Sequence, residues 1–305
     1  MPAEGIHQTA LREATTSTQL DAGVRRCLVR FEDAGRLGAV LVDLPYFEGY
    51  ALEVARYLVR ATPRPSPWGA ALHERAAVPV ALALLEHARR TRSMEIAALG
   101  LGVVSHAAID RQLHPLINAL ARREAPLAHD TAHREVEKFQ SICFHEVYFG
   151  ADRMGTAGIV RLVQVPMREL FAKQFVCRAV DEAFAALAPG SASSRLAVMG
   201  RGYEQHTSLI GSPLGKRVAS EREKERARPR FLSGAWGSFE SVLALAVRQS
   251  VPVLNRAFAL FEAGDSDRDE AERALGAMLP VGSIDPLGES LDLERSFTPA
   301  LPPDS

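Results

Sequence analysis

Cysteine is scarce in this sequence. Cys27, Cys143 and Cys177 stand far apart with no CxxC pair, which argues against a disulfide framework or a thiolate zinc cluster and predicts buried thiols. Long apolar runs are missing too: nothing reaches the roughly 18 consecutive apolar residues of a membrane-spanning helix. The opening MPAEGIHQTALREATTSTQL has no basic region followed by an apolar one and no small-residue cleavage site, so the expected location is cytoplasmic. Neither sign of charge dominates. A formal net charge of −1 gives no general attraction for nucleic acid or an anionic membrane. Aromatic residues make up 7% of the chain and no basic stripe accompanies them, so nucleic-acid bases would find few surfaces to stack on. Strand-like alternation and internal repeats are absent as well.

What remains is helical periodicity. With 47% hydrophobic and 24% charged among 305 residues, the chain has ordinary globular balance and can bury a large core. Residues 4–15 and 18–33 read as two opening helices, the second ended near Gly35. AVLVDLPYF then breaks at Asp43-Leu44-Pro45, because Pro45 biases Leu44 toward extended backbone, and a helix follows over 46–61. After the rigid TPRPSP connector, Ser66 as N-cap and Pro67 at the first position start a helix that runs to Arg92 with a kink at Pro79. Further helices are expected over 93–123, over 126–149, and over 150–186 with an interruption at Pro166. Periodicity fades over 189–230, where the charged KRVASEREKERARPR reads as a solvated face or mobile linker. A strong apolar helix returns over 232–263, and the tail after Pro280 is irregular. The expected fold is all-α and multi-helix, bundle-like. Residues 1–188 form a helical core carrying the candidate ligands, 189–231 a loop or charged linker, and 232–305 C-terminal helices completing the same domain.

The stretch IAALGLGVVSHAAIDRQLHPLIN, Ile96 to Asn118, carries ionisable groups on its most apolar face. At 3.6 residues per turn Leu99, Val103, His106, Asp110, Leu113 and Ile117 share one side, with His114 at its edge. Buried carboxylates and imidazoles survive when hydrogen-bonded, ion-paired or bound to a metal. His106, Asp110 and His114 recur every four residues, so one helix offers one wall of a metal site. Pro115 predicts a kink or end at the last of them. On the next helix His133 and Glu137 repeat the spacing, with Gln140 and Phe144 continuing that side and His129 one turn earlier. Nitrogen and oxygen donors without thiolates suit zinc, manganese or iron. A satisfied core His–Asp pair with a solvated His114 explains the first triplet equally well when it is taken alone.

Across residues 7–137 the chain resembles the bacterial zinc-dependent phospholipase C family, whose all-helical fold is shared with single-strand-specific zinc nucleases. LGLGVVSHAAIDRQLHPLI is similar to that family's glycine-containing helix with S-H, an Asp four residues on and a closing His-Pro. His133-x3-Glu137 matches its downstream pair, Asp43 in VDLPYF its Asp-containing loop, His73 in WGAALHE its following helix, and His7 its N-terminal histidine. The resemblance implies one zinc centre from Asp43, His73, His106 and Asp110, and a second from His114, His133 and Glu137. In three-metal members His7, sharing Asp110, completes a third. Secreted three-metal members use the amino group of a processed N-terminal Trp; this sequence begins Met-Pro, so two zinc ions are expected and the third stays open. The Asp43 loop also lacks the usual preceding glycine. Residues 150–305 carry no motif of the family.

The function implied is a metal-dependent phosphoric-diester hydrolase. A metal-bound hydroxide attacks phosphorus, and Asp43 holds a metal or orients the water as a base. The expected substrate is a phospholipid or another small phosphodiester. A zinc nuclease is the nearest alternative, and a non-catalytic scaffold stabilised by its metal is the alternative from another class. An HD-type phosphohydrolase rests only on His129-Asp130, and a di-iron carboxylate site is disfavoured because Glu4–His7 is the only Glu-x-x-His spacing. Taken singly, His7 reads as an exposed terminal residue, His73 as an ordinary helix residue, His129 as a surface residue, and His87, His145 and His206 as structural or exposed. GDSDRDEAE near Asp265 lacks the glycine and terminal Glu of a calcium loop and reads as a charged helix start.

Overall fold

The computed structural model describes residues 4–59, 66–123, 133, 136–137, 143–146, 148–187, 191–227 and 239–284. Every regular element among the described residues is helical, and none of these helices is long and apolar enough to cross a membrane. The expected all-α class therefore holds.

Helix α7 (Met94–Arg123) is the axis of the molecule. Every residue from 96 to 110 is buried, so this helix is enclosed on all sides rather than along one stripe. Around it pack α1 (Glu4–Thr16), α2 (Ala22–Arg30), α3 (Glu32–Leu41), α6 (Ala77–Thr91) and, late in the chain, the long helix Phe239–Glu262. The expected helix over 18–33 is shorter than its pattern suggested. It stops at Phe31, whose backbone leaves helical values, and α3 begins at once.

Gly35 does not end a helix; it lies inside α3. A Cβ on Gly38 would stand 2.1 Å from the Leu99 carbonyl oxygen, and one on Gly102 would stand 2.1 Å from the Gly35 carbonyl oxygen. The glycines let two helix backbones touch, a packing use that local propensity does not show.

After α3 the chain turns through Asp43 into a 3-10 turn (Leu44–Phe47), then α4 (Tyr50–Leu58). Ser66 caps α5 (Pro67–Ala71), its hydroxyl accepting from Gly69 N at 3.2 Å, with Pro67 at the first turn. The irregularity expected at Pro79 falls earlier, in a π turn over Leu72–Ala76, where Ala77 N donates to Leu72 O, five residues back. Pro79 cannot donate to the Arg75 carbonyl and crowds it, so the turn before it widens. Pro115, expected to kink or end α7, does not end it: the helix continues to Arg123. Burial of Leu113, Leu116, Ile117 and Ala121 outweighs one lost hydrogen bond.

Beyond Gly150 come α8 (Ala157–Val163), α9 (Met167–Phe171) and α10 (Gln174–Ala183), with the interruption at Gln164–Pro166 as the sequence implied. The region 189–231 is not a simple linker. It contains α11 (Ala192–Ile210), α12 (Pro213–Val218) and α13 (Glu221–Ala227). In α11 Leu196, Met199, Tyr203 and His206 are buried at helical spacing, but Gly200 and Gly202 between them weaken the apolar signal. Gly202 is there for contact: a Cβ would meet Phe47 O at 2.1 Å. Lys224, in the supposedly solvated charge run, is buried with its Nζ 2.8 Å from Asp152, 3.0 Å from Glu221 and 3.5 Å from Glu146. Helices α14 (Phe239–Glu262) and α15 (Arg268–Met278) follow; α15 has Asp267 as its N-cap residue, at the charged helix start read from GDSDRDEAE.

Gly38→Ala gains up to about 1 kcal/mol of helix propensity but forces α3 away from α7. A net loss of about 2 kcal/mol or more is expected by urea denaturation. Gly276→Ala, where a Cβ meets nothing within 4 Å, is the control and should be neutral or stabilising.

Candidate metal centre

Five segments deliver the eight candidate ligands to one place. α1 supplies His7, the turn after α3 supplies Asp43, the π turn supplies His73, and α7 supplies His106, Asp110 and His114 in successive turns. His133 and Glu137 complete the set from the helical residues that follow. His129, Asp130 and Gln140 lie outside the described residues, as does most of the helix expected over 126–149.

Asp110 is the hub. Its Oδ1 lies 3.1 Å from His7 Nε2 and 3.6 Å from His114 Nε2, and its Oδ2 lies 3.0 Å from His106 Nε2 and 3.7 Å from His73 Nε2. The two oxygens of one carboxylate thus face different pairs of imidazoles. Asp43 Oδ1 stands 3.3 Å from His73 Nε2, while Glu137 Oε1 stands 3.3 Å from His133 Nε2 and 3.8 Å from His114 Nε2. Three triplets have donor atoms within 4.8 Å of one another: His7, His106 and Asp110; Asp43, His73 and His106; His114, His133 and Glu137. His106 belongs to two of them. The His7 and His106 rings stack with centroids 3.9 Å apart. His7 and His73, each unremarkable when taken singly, are buried inside this cluster.

Three of the imidazoles are fixed from behind. His106 Nδ1 donates to Ala39 O at 2.9 Å, His73 Nδ1 to Gly69 O at 2.8 Å, and His133 Nδ1 to Asn118 Oδ1 at 2.8 Å. Each bond places a proton on Nδ1, so that in the neutral ring Nε2 is the lone pair aimed into the cluster, which is how metal-binding histidines are held. Ala39 is in the last turn of α3, where carbonyls have no intrahelical partner. Asn118 was not singled out by the sequence pattern, although it continues the four-residue register of His106, Asp110 and His114. Tyr46 lies at the edge, its hydroxyl 3.4 Å from His73 Nδ1.

Burial and charge oppose each other here. Desolvation would lower His106, but the charges of Asp110 and Asp43 overcome it and push it up to about 9. Desolvation likewise works against a raised His73, which Asp43 and Asp110 nevertheless impose. Asp110 and Glu137 are buried, which would raise them, yet the surrounding imidazoles hold both well below the usual carboxylate range. Both oxygens of Asp43 and Nε2 of His106 are buried and outside hydrogen-bond alignment with any described partner, despite neighbours at 3.0–3.3 Å. Leaving such atoms unsatisfied costs about 1–3 kcal/mol each, and more when charged. Imidazole nitrogens and carboxylate oxygens converge here in a geometry that suits a divalent cation in place of the compensating protons, so these residues could bind metal.

The remaining described histidines are structural. His87 Nδ1 pairs with Glu182 at 2.7 Å, and His206 Nδ1 lies 3.0 Å from the Tyr50 hydroxyl. His145 is buried against Gly5 and Phe144. No protein-family model, curated protein or solved structure matches the chain.

Burial, with Arg153 adding repulsion, pushes His145 down to about 4. An unfolded imidazole titrates near 6.5, so between those values the unfolded chain binds more protons and stability falls as pH falls. His145→Leu should abolish roughly 3 kcal/mol of the stability lost between pH 7 and pH 4. Denaturation curves with the same pH dependence in both proteins would contradict this.

Proposed function

We propose that the cluster holds divalent metal ions and that the protein is a phospholipase C-like phosphoric-diester hydrolase. The observation that carries this is Asp110, whose two oxygens face separate groups of imidazoles. A structural zinc site is one closed set of four ligands. A carboxylate shared between adjacent donor sets suits neighbouring ions, the arrangement used for in-line displacement at phosphorus. Five imidazoles and three carboxylates are compatible with zinc, manganese or iron; the resemblance to the zinc-dependent phospholipases C favours zinc.

His73, Asp43 and His106 would hold one ion, His114, His133 and Glu137 another, and His7 with Asp110 would serve a third. Bound divalent ions supply Lewis acidity, lowering the pKa of water and neutralising phosphate oxygens. The chain's own residues do the rest. Ala39 O, Gly69 O and Asn118 hold three rings so that Nε2 needs no reorganisation. Asp43, wholly buried against His73, either serves as a ligand or takes a proton from the attacking water at a carboxylate oxygen. No Ser or Cys nucleophile is required. The low aromatic content and balanced charge favour a phospholipid or other small phosphodiester over nucleic acid. A metal-stabilised scaffold is the second reading, favoured by one observation: the ligands from α1 to α7 are almost completely enclosed.

Elemental analysis with a chromogenic phosphodiester assay tests both. We expect at least two zinc ions per chain and chelator-sensitive hydrolysis. Asp110→Asn should lose metal and lower turnover by more than about 100-fold, beyond the effect usual for outer partners of a metal ligand. Full metal without hydrolysis of phosphatidylcholine, soluble phosphodiester or single-stranded DNA would select the scaffold. Absence of metal would refute both readings.

A further inference from the structure

The three fixed histidines are not held in the same way. His106 and His73 donate to main-chain carbonyls, of Ala39 and Gly69, which no side-chain replacement removes. His133 donates to a side chain, Asn118, which is buried on α7 one turn beyond His114. We propose that Asn118 is a positioning residue that sets the tautomer and direction of His133, and thereby controls ion binding at the His114, His133 and Glu137 group separately from the other groups. For its metal consequence this rests on the metal reading above; the tautomer does not depend on it.

The chemistry is a choice between two amide orientations. With Oδ1 toward His133, the ring carries its proton on Nδ1 and presents the Nε2 lone pair beside Glu137 Oε1, 3.3 Å away. With the amide reversed, its NH2 would donate to Nδ1. The ring would then carry its proton on Nε2, where it could only donate to Glu137 and could not ligate an ion. The acceptor orientation is therefore the one a metal site requires. The four-residue register has a further effect. His106, Asp110, His114 and Asn118 share one face of a rigid helix, so this partner sits on the same element as the ligands it must match.

The experiment uses the full chain as wild type, Asn118→Leu and Asn118→Asp, with zinc as the probe. Long-range nitrogen–proton NMR on the metal-free proteins, followed up in pH until the ring is neutral, reports the His133 tautomer, and zinc titration against a competing chelator reports affinity for each ion. Wild type should show the proton on Nδ1. Asn118→Leu should lose that preference and bind one zinc 10–100-fold more weakly, a range typical of lost outer partners, with the other ions unchanged. Asn118→Asp can only accept and should restore both tautomer and affinity. The proposal is overturned if Asn118→Leu keeps the Nδ1 tautomer, if it weakens every ion equally, or if Asn118→Asp folds but fails to rescue. Should wild type bind no zinc, the metal reading fails, while the tautomer comparison still decides the role of Asn118.

Discussion

Helices α3 and α7 meet backbone to backbone, and the candidate site depends on that contact. At Gly38 and Gly102 there is no room for a Cβ between α3 and α7, and the Gly35 carbonyl is what a Cβ on Gly102 would strike. That contact brings the end of α3 against the middle of α7, so the unsatisfied Ala39 carbonyl lies within reach of the His106 ring. It also fixes what comes next. The chain leaves α3 by a turn in which Asp43 N donates to Val40 O at 3.1 Å, and the Asp43 carboxylate is carried beside His73 and His106. A residue in an irregular junction is thereby held by two of the best-packed helices in the fold. Separating these helices by the width of a methyl group would move Asp43 and the Ala39 acceptor together relative to the rings they face.

Charge balance is the second constraint. Asp43, Asp110 and Glu137 place three carboxylates among five imidazoles in a region with almost no solvent. Without a cation, protons must do the compensating, which is why His106 and His73 are raised while Asp110 and Glu137 are depressed. An ion entering the cluster needs neutral imidazoles, so it competes with those protons for the same Nε2 lone pairs. Asp110 is central to either state because each of its oxygens serves a different side.

Much of this arrangement was legible in the sequence, and the parts that were not share a cause. The four-residue spacing of His106, Asp110 and His114 is a helix-face pattern, and Ser66-Pro67 is a local cap; both depend on neighbours in the chain. Asp43 could be placed at a break because Pro45 cannot continue a helix, although Leu44 lies in the 3-10 turn and not in the extended backbone expected of it. The failures concern residues used against distant partners. Gly35 resembled a terminator because glycine is a poor helix former by local propensity, whereas it lies buried inside α3 with the Leu28 side chain 3.2 Å from where a Cβ would stand. Helix α11 was hidden by Gly200 and Gly202, which pack against Met167 and Phe47. Lys224 looked solvated because the acids Glu146 and Asp152 that bury it lie more than seventy positions away. His7 and His73 were ambiguous singly and gained meaning only from the ordered set, while Asn118 carried no charge to draw attention to its register.

The π turn at Leu72–Ala76 joins these themes. In a regular helix Ala77 N would bond to His73 O, but it bonds to Leu72 O instead. The carbonyl of His73 accepts from Ile284 N at 2.8 Å, with Ser283 Oγ at 3.4 Å, and Ile284 is buried. Nearby, the Arg111 guanidinium donates to Pro280 O, and Arg111 immediately follows Asp110. The segment after α15 is thus tied at one end to the residue beside the hub carboxylate and at the other to the backbone of a candidate ligand. Its apex at Pro280 and Val281 is exposed. A late part of the chain with no recognisable motif therefore braces two elements that carry candidate ligands. The widened turn is what makes this possible: it releases a carbonyl to the C-terminal segment while His73 Nδ1 is retained by Gly69 O. Ligand direction is set on the inner side and backbone position on the outer, so His73 is held by two partners that are independent of each other.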